Sequence, residues 1–254
     1  MLTITNESVH RAMSAEIPPA AVCDPGKSVR FITLDALGGQ FVDDNNPIID
    51  EDKAGNPSTG PLYVNGAEPG DMLKITVEQI RLPNVMSMTT APKAGVFGDE
   101  IPELKRKLYR VEDGMVWFND RLRLPVHPML GVIGVAPQEG SIGTSYPGEH
   151  GGNMDCKRIT QGSVLYIPVF HPGGLLFVGD VHALMGDGEV CICGAETAAE
   201  VTLKVELQKK SYGTLLLRSE GKVMTICSAP TLDEAAVLAT KRMRKILEQE
   251  LGME

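Results

Sequence analysis

Two-residue alternation of apolar and polar side chains is the strongest pattern along this chain. In residues 69–82, PGDMLKITVEQIRL, Leu73, Ile75 and Val77 fall on one side and Lys74, Thr76 and Glu78 on the other. That period predicts a half-buried strand opening after a Pro-Gly turn. The period returns after Gly194 in AETAAEVTLKVELQ, where Val201, Leu203, Val205 and Leu207 alternate with Thr202, Lys204, Glu206 and Gln208. Residues 115–126 read as a hairpin turning at Asn119-Asp120. The apolar stretches GSVLYIPVF and LLFVGDVHA flank His171-Pro172-Gly173-Gly174 and predict a second hairpin, pairing residues 164–170 with 175–183. Only the tail has the helical period. Thr231 and Glu234 form a capping box, and Leu232, Ala235, Ala236, Ala239, Met243, Ile246 and Leu247 make a stripe expected to pack on a sheet before Gly252 ends it. Residues 42–61 and 86–105 are rich in turn-forming residues and read as surface loops, either of which could serve as a lid.

Composition strengthens the all-β reading, because 27 glycines, 17 prolines and 5% aromatic residues suit many short strands joined by tight turns. With 43% hydrophobic residues the chain can bury a core, and no linker divides it, so residues 1–254 are expected to form a single unit. A net charge of −9 argues against nucleic-acid binding. No apolar run approaches the roughly 20 residues of a membrane helix, and MLTITNESVHRAM resembles neither a leader nor a signal core, so the expectation is a soluble, cytoplasmic protein. The five cysteines, Cys23, Cys156, Cys191, Cys193 and Cys227, read as reduced thiols, and C-x-C at Cys191 and Cys193 is not zinc-finger spacing.

Two segments break the apolar pattern. HGGNMD, from His150 to Asp155, gathers an imidazole, two glycines, an amide and a carboxylate, with Asn153 and Asp155 pointing the same way in extended chain. It reads either as a ligand-approaching loop or as an Asx-stabilised turn. GDVHALMGDGE places Asp180, His182, Asp187 and Glu189 at the end of an apolar strand, and alternation with Leu176 and Val178 puts Asp180 and His182 on one face, roughly 6.5 to 7 Å apart. A buried carboxylate beside an imidazole needs compensation from a metal, an ion pair or water. Glu196, in CGAE, has the same two readings. Carboxylates with one or two imidazoles suit zinc or manganese, and clustered oxygen donors could hold calcium. His127 reads as a turn residue within possible reach of the site. Cys156, beside Asp155 and Lys157, lacks an assignable orienting group and reads as a packing thiol. Dinucleotide, Walker, H-E-x-x-H and G-x-S-x-G signatures are missing from the sequence.

The phrases TLDALGGQ from Thr33, HPMLGVIGVAP from His127, GEHGGNMD from Gly148, LYIPVF from Leu165, GDVHALMGDGEV from Gly179 and CGAE from Cys193 together resemble the acetamidase/formamidase family. The resemblance implies metal-dependent hydrolysis of a small linear amide to ammonia and a carboxylate. It also implies a mainly β, jelly-roll-like sandwich with barrel-like and small α+β parts and a homodimer or larger assembly. It points to His150, Asn153 and Asp155, to Asp180, His182 and Glu189, and to Asp35 and Glu196. On this reading Asp155, Asp180 and His182 hold zinc, with Asp35 and Glu196 as further ligand candidates and calcium a possible second ion. Glu189 is the general base, Asn153 belongs to the catalytic group, and His150 with the N–H groups of Gly151 and Gly152 would face the oxyanion. The principal rival is a non-enzymatic jelly-roll module stapled by an ion, against which the single tryptophan, Trp117, offers little for sugar stacking. A cupin-like oxygenase would want H-x-H where this chain has D-x-H.

Overall fold

The computed structural model describes residues 1–45 and 49–252, and strands dominate its regular structure. One sheet has seven strands, in the order Leu2–Ile4, Lys27–Thr33, Ala199–Gln208, Met72–Arg81, Val164–Pro168, Leu215–Ser219 and Lys222–Ile226. The two alternating segments sit inside it as antiparallel neighbours. Leu73, Ile75, Val77, Val201, Leu203 and Val205 are fully buried, while Lys74, Thr76, Thr202 and Lys204 remain partly exposed. The second sheet runs from Arg123–Pro125 through Met115–Trp117, Lys105–Glu112, Val85–Thr90, Glu196–Thr197, Leu176–His182, Met129–Gly134 and Gly151–Asn153 to Pro147–Gly148. Strand Ser58–Val64 joins it beside Leu176–His182.

The inner faces of the two sheets meet in one cluster that includes Phe31, Ile75 and Ile167 from the first and Leu62, Ile133 and Val178 from the second. Burying each such side chain contributes about 1.5–3 kcal/mol relative to exposure. The mainly β sandwich expected from turn frequency and family resemblance is therefore present. Neither sheet closes into a barrel among the described residues.

Met115–Trp117 pairs with Arg123–Pro125 as a hairpin, as the Asn119-Asp120 turn predicts. The second expected hairpin does not form. Val164–Pro168 pairs with Met72–Arg81 and Leu215–Ser219 in the first sheet, whereas Leu176–His182 belongs to the second, so residues 171–174 cross between layers. Both strands are almost uniformly apolar and central in their sheets, and such strands carry no period from which a partner can be read. Two loop expectations also need correction. Residues 86–90 belong to strand Val85–Thr90 and residues 58–61 to strand Ser58–Val64. Residues 46–48 of the first loop lie outside the described residues.

Helix Leu232–Leu251 has the capping box of Thr231 and Glu234 and ends at Gly252 in the left-handed conformation. Of its expected apolar stripe only Ile246 is buried, in a small cluster with Met72, Tyr166 and Leu216, and Leu232 is 89% exposed. The helix also meets the edge strand Lys222–Ile226, where Thr225 Oγ1 donates to Ala239 O at 3.0 Å. No helix among the described residues is long and apolar enough to cross a membrane. All five cysteines are free thiols.

Candidate active site

Strand Leu176–His182 positions the site because its pairing changes partner along its length. Residues 176–179 pair with Ser58–Val64, whereas Val181 and His182 pair with Thr197 and Glu196. Asp180 falls at the divergence with φ of +48°. Left-handed backbone costs a non-glycine residue on the order of 1–2 kcal/mol, so packing elsewhere must hold it there. Asp155 and Glu189 also have positive φ, each +41°. Asp180 thereby leaves the regular strand alternation, while Asp155 and Glu189 reach the same centre from the loops that follow Gly151–Asn153 and Leu176–His182.

The atoms that converge fall into two groups. Ligand atoms of Asp155, Asp180 and His182 lie within 4.8 Å of one another, as do those of His182, Glu189 and Glu196. His182 Nε2 stands 3.2 Å from Glu196 Oε2 and 3.5 Å from Asp180 Oδ1, and all three side chains are buried. One oxygen of each strand carboxylate is already committed: Asp180 Oδ2 accepts from Asn56 Nδ2 at 2.9 Å, and Glu196 Oε1 accepts from the Gly194 N–H at 2.8 Å. The other oxygens, Asp180 Oδ1 and Glu196 Oε2, are buried without an aligned hydrogen bond, together with Asp155 Oδ1 and both ring nitrogens of His182. Buried polar atoms left this way cost free energy unless another group satisfies them. A divalent cation matches that donor set of imidazole nitrogen and carboxylate oxygen.

Glycines make room for the cluster. Gly131 lies opposite Asp180 in the pairing of Met129–Gly134 with Leu176–His182, and a Cβ there would stand 2.6 Å from Asp155 Oδ1 and 2.7 Å from Asp180 Oδ2. A Cβ on Gly194 would stand 2.4 Å from His182 Nδ1.

Negative charge is concentrated here beyond what the protein neutralises. Burial and then the charge of Glu196 push the Asp180 carboxyl up to about 6. Burial and then Asp180 push Asp155 up to about 6, and burial followed by Asp155 pushes Glu189 up to about 8. Burial opposes a proton on His182, but the facing carboxylates of Glu196 and Asp180 outweigh it and hold its pKa well above the ordinary value. Burial is the largest cause of the three carboxyl shifts, and the mutual repulsion of the carboxylates adds to it.

The cluster borders a cavity of about 480 Å³, also lined by Asn56, Asn153 and Cys193. Asn153 Oδ1 is buried without a partner, while its Nδ2 donates to Ser145 O at 3.4 Å. Cys193 Sγ accepts from the Thr89 N–H at 3.1 Å, and burial followed by the charge of Glu196 pushes its thiol up, so it stays protonated.

Six of the eight residues expected from sequence are therefore brought together: Asn153, Asp155, Asp180, His182, Glu189 and Glu196. Two are not. Asp35 Oδ1 accepts from the N–H groups of Leu37 and Gly39, each at 2.9 Å, and Asp35 belongs to neither ligand group. His150 lines a separate cavity with Glu139 and Glu149, and burial lowers its pKa to about 4, leaving a neutral ring. The flanking glycines serve that ring and the sheet: a Cβ on Gly148 would meet His150 Nδ1 at 2.7 Å, and Gly151 and Gly152 pair with Gly134 and Ile133. Asp187 is exposed and paired with Lys157 at 2.7 Å, and His127 lines a different surface cavity with Lys157.

Asn56 was not expected, and G-N-P in a loop carries no catalytic signal. It has φ of +56°, its N–H donates to Ala36 O, and its carboxamide orients Asp180 so that Oδ1 faces the cluster. Asn56→Ala should weaken divalent-ion affinity roughly tenfold or more, the usual loss when a ligand's supporting hydrogen bond is removed. Metal titration of the variant checks this, and an unchanged affinity would remove Asn56 from the site.

The sequence profile of the acetamidase/formamidase family matches residues 2–143 and 138–221. A crystal structure of an acetamidase from Bacillus halodurans is 42% identical with a TM-score of 0.95, covering 98% of this chain and 85% of that one. One of a predicted acetamidase/formamidase from Thermoanaerobacter tengcongensis is 38% identical, also with a TM-score of 0.95, covering 97% of this chain and 83% of that one. The formamidase of Methylophilus methylotrophus is 27% identical over 81% of this chain and 66% of its own length. The chain spans about two thirds of the length of the curated relatives it matches.

Proposed function

The chain belongs to the acetamidase/formamidase family, and from that premise we propose that it hydrolyses the C–N bond of a small linear amide to ammonia and a carboxylate with the help of a divalent ion. Asp155, Asp180 and His182 would hold the ion, with Glu196, whose Oε2 faces the same His182 Nε2 as Asp180 Oδ1 does, as a further ligand candidate. The observation that carries this reading is the set of buried, converging atoms on those residues that have no aligned hydrogen bond, with Asp180 and Glu196 each anchored through the other oxygen. Mixed imidazole and carboxylate donors favour zinc. When bound, such an ion supplies a water of lowered pKa and polarises a carbonyl oxygen.

The chain's own residues then divide the remaining work. Glu189, which lines the cavity beside the ligand atoms, would take a proton from the attacking water and deliver it to the departing nitrogen. Asn153 Oδ1 is an acceptor without a partner and suits the NH₂ of the substrate amide. The cavity beside the ligand groups supports an enzyme over an ion-stapled module, in which the ion would be walled off by protein.

Ammonia release from formamide and acetamide, measured before and after chelation and again with zinc restored, tests the proposal. Chelation should lower turnover about a hundredfold or more, since the ion carries several kcal/mol of the barrier reduction, and zinc should restore it. Full activity in protein shown to be metal-free would sink the metal-dependent reading. A fold that melts on chelation, from a protein with no amidase activity when loaded, would favour the module.

A further inference from the structure

The cavity beside the cluster is larger than the smallest amides need. It measures about 480 Å³, within the range that accommodates drug-sized ligands. Formamide and acetamide have so few non-hydrogen atoms that each fills on the order of 100 Å³, at a water molecule's roughly 30 Å³ per atom. An ion with its water, plus acetamide, would leave much of the space to solvent.

The lining is also divided in character. Asp155, Asp180, Glu189 and Glu196 supply charge, whereas Ala36, Leu37, Ala54 and Ile192, whose side chains are hydrocarbon, border the same cavity. Three of those four come from two chain segments tied together by the main chain, since the Asn56 N–H donates to Ala36 O at 3.2 Å. The Leu37 N–H is in turn fixed on Asp35 Oδ1 at 2.9 Å. Asp35 therefore fixes this wall through that oxygen. Such side chains can offer a ligand neither a hydrogen bond nor a charge, so the only complement they reward is apolar surface.

Resting on the amidase reading, we infer that the preferred substrate is a primary amide with an apolar acyl group of roughly four to six carbons, held against Ala36, Leu37, Ala54 and Ile192. Formamide and acetamide then leave the apolar wall wet and are poor substrates. Each methylene transferred from water to that wall should raise kcat/KM about fourfold, on the order of 50-fold from acetamide to pentanamide.

The experiment is a kcat/KM series on the zinc-loaded protein with formamide, acetamide, propionamide, butyramide and pentanamide. It is repeated with Ala36→Leu, which fills the cavity, and Ile192→Ser, which replaces a side chain already 60% exposed. The expected result is a steep rise along the series and a pentanamide-to-acetamide ratio at least about fivefold lower in either variant, one to two methylenes' worth. A flat or falling series in the wild type overturns the inference, as does a ratio that neither variant changes. Hydrolysis of no amide at all would defeat the amidase reading itself, an outcome distinct from activity confined to formamide. Because the wild-type series stands alone, the test survives a variant that misfolds.

Discussion

Glu189→Gln should lose on the order of a thousandfold in amide turnover, in the middle of the range for removing a general acid–base, with metal content and unfolding temperature close to wild type. The substitution keeps the shape of the side chain and removes its ability to carry a proton between water and the leaving nitrogen. Glu189 is well placed for that task. It stands with His182 and Glu196 in the second group of converging atoms, lines the cavity, and is held by left-handed backbone just after Gly188. Activity assays paired with metal analysis decide the matter. If the variant turns over amide at a wild-type rate, the base lies elsewhere; if it loses its metal, Glu189 is a ligand.

Gly131→Ala should abolish metal binding although it changes no charge. The added methyl would lie 2.6 Å from Asp155 Oδ1, 2.7 Å from Asp180 Oδ2 and 2.9 Å from the Asp180 carbonyl oxygen. One of those contacts is backbone in a central strand, so the clash cannot be relieved by rotating a side chain, and the two carboxylates must part. Metal content should fall to below about a tenth and activity with it, comparable to loss of a ligand's orientation. Gly186→Ala is the matched control, since a Cβ there meets nothing within 4 Å and its φ is not positive. Elemental analysis of both purified variants reads the difference. A fully loaded Gly131→Ala protein would mean that the carboxylates do not share an ion at this point.

Particular residues show why some features could be read locally and others could not. Strands Met72–Arg81 and Ala199–Gln208 were legible because each presents one face to the core and one towards solvent, which writes a two-residue period into the chain. Val164–Pro168 and Leu176–His182 are buried on nearly all sides, so their composition says strand and nothing about partners. Asp180 Oδ1 and His182 Nε2 do come together, 3.5 Å apart, but not by the geometry that alternation describes. Regular alternation would have aligned them, whereas Asp180 reaches the cluster by leaving the strand conformation. The resemblance points to His150, but in the folded chain it lines a separate cavity, and its neighbours Gly148 and Gly152 make space for the imidazole ring itself.

By itself, the sequence determined the class of fold, the capped terminal helix and the polar residues planted in apolar surroundings. These follow from the free energy of burying each side chain, a property of the residue and its near neighbours. Tertiary structure alone decided which of those groups meet, that Asn56 braces Asp180 across 124 positions, that Gly131 opens the space between two carboxylates, and that His150 lines a separate cavity. Those facts depend on strand register and on a few left-handed residues, which long-range pairing imposes and no local pattern encodes.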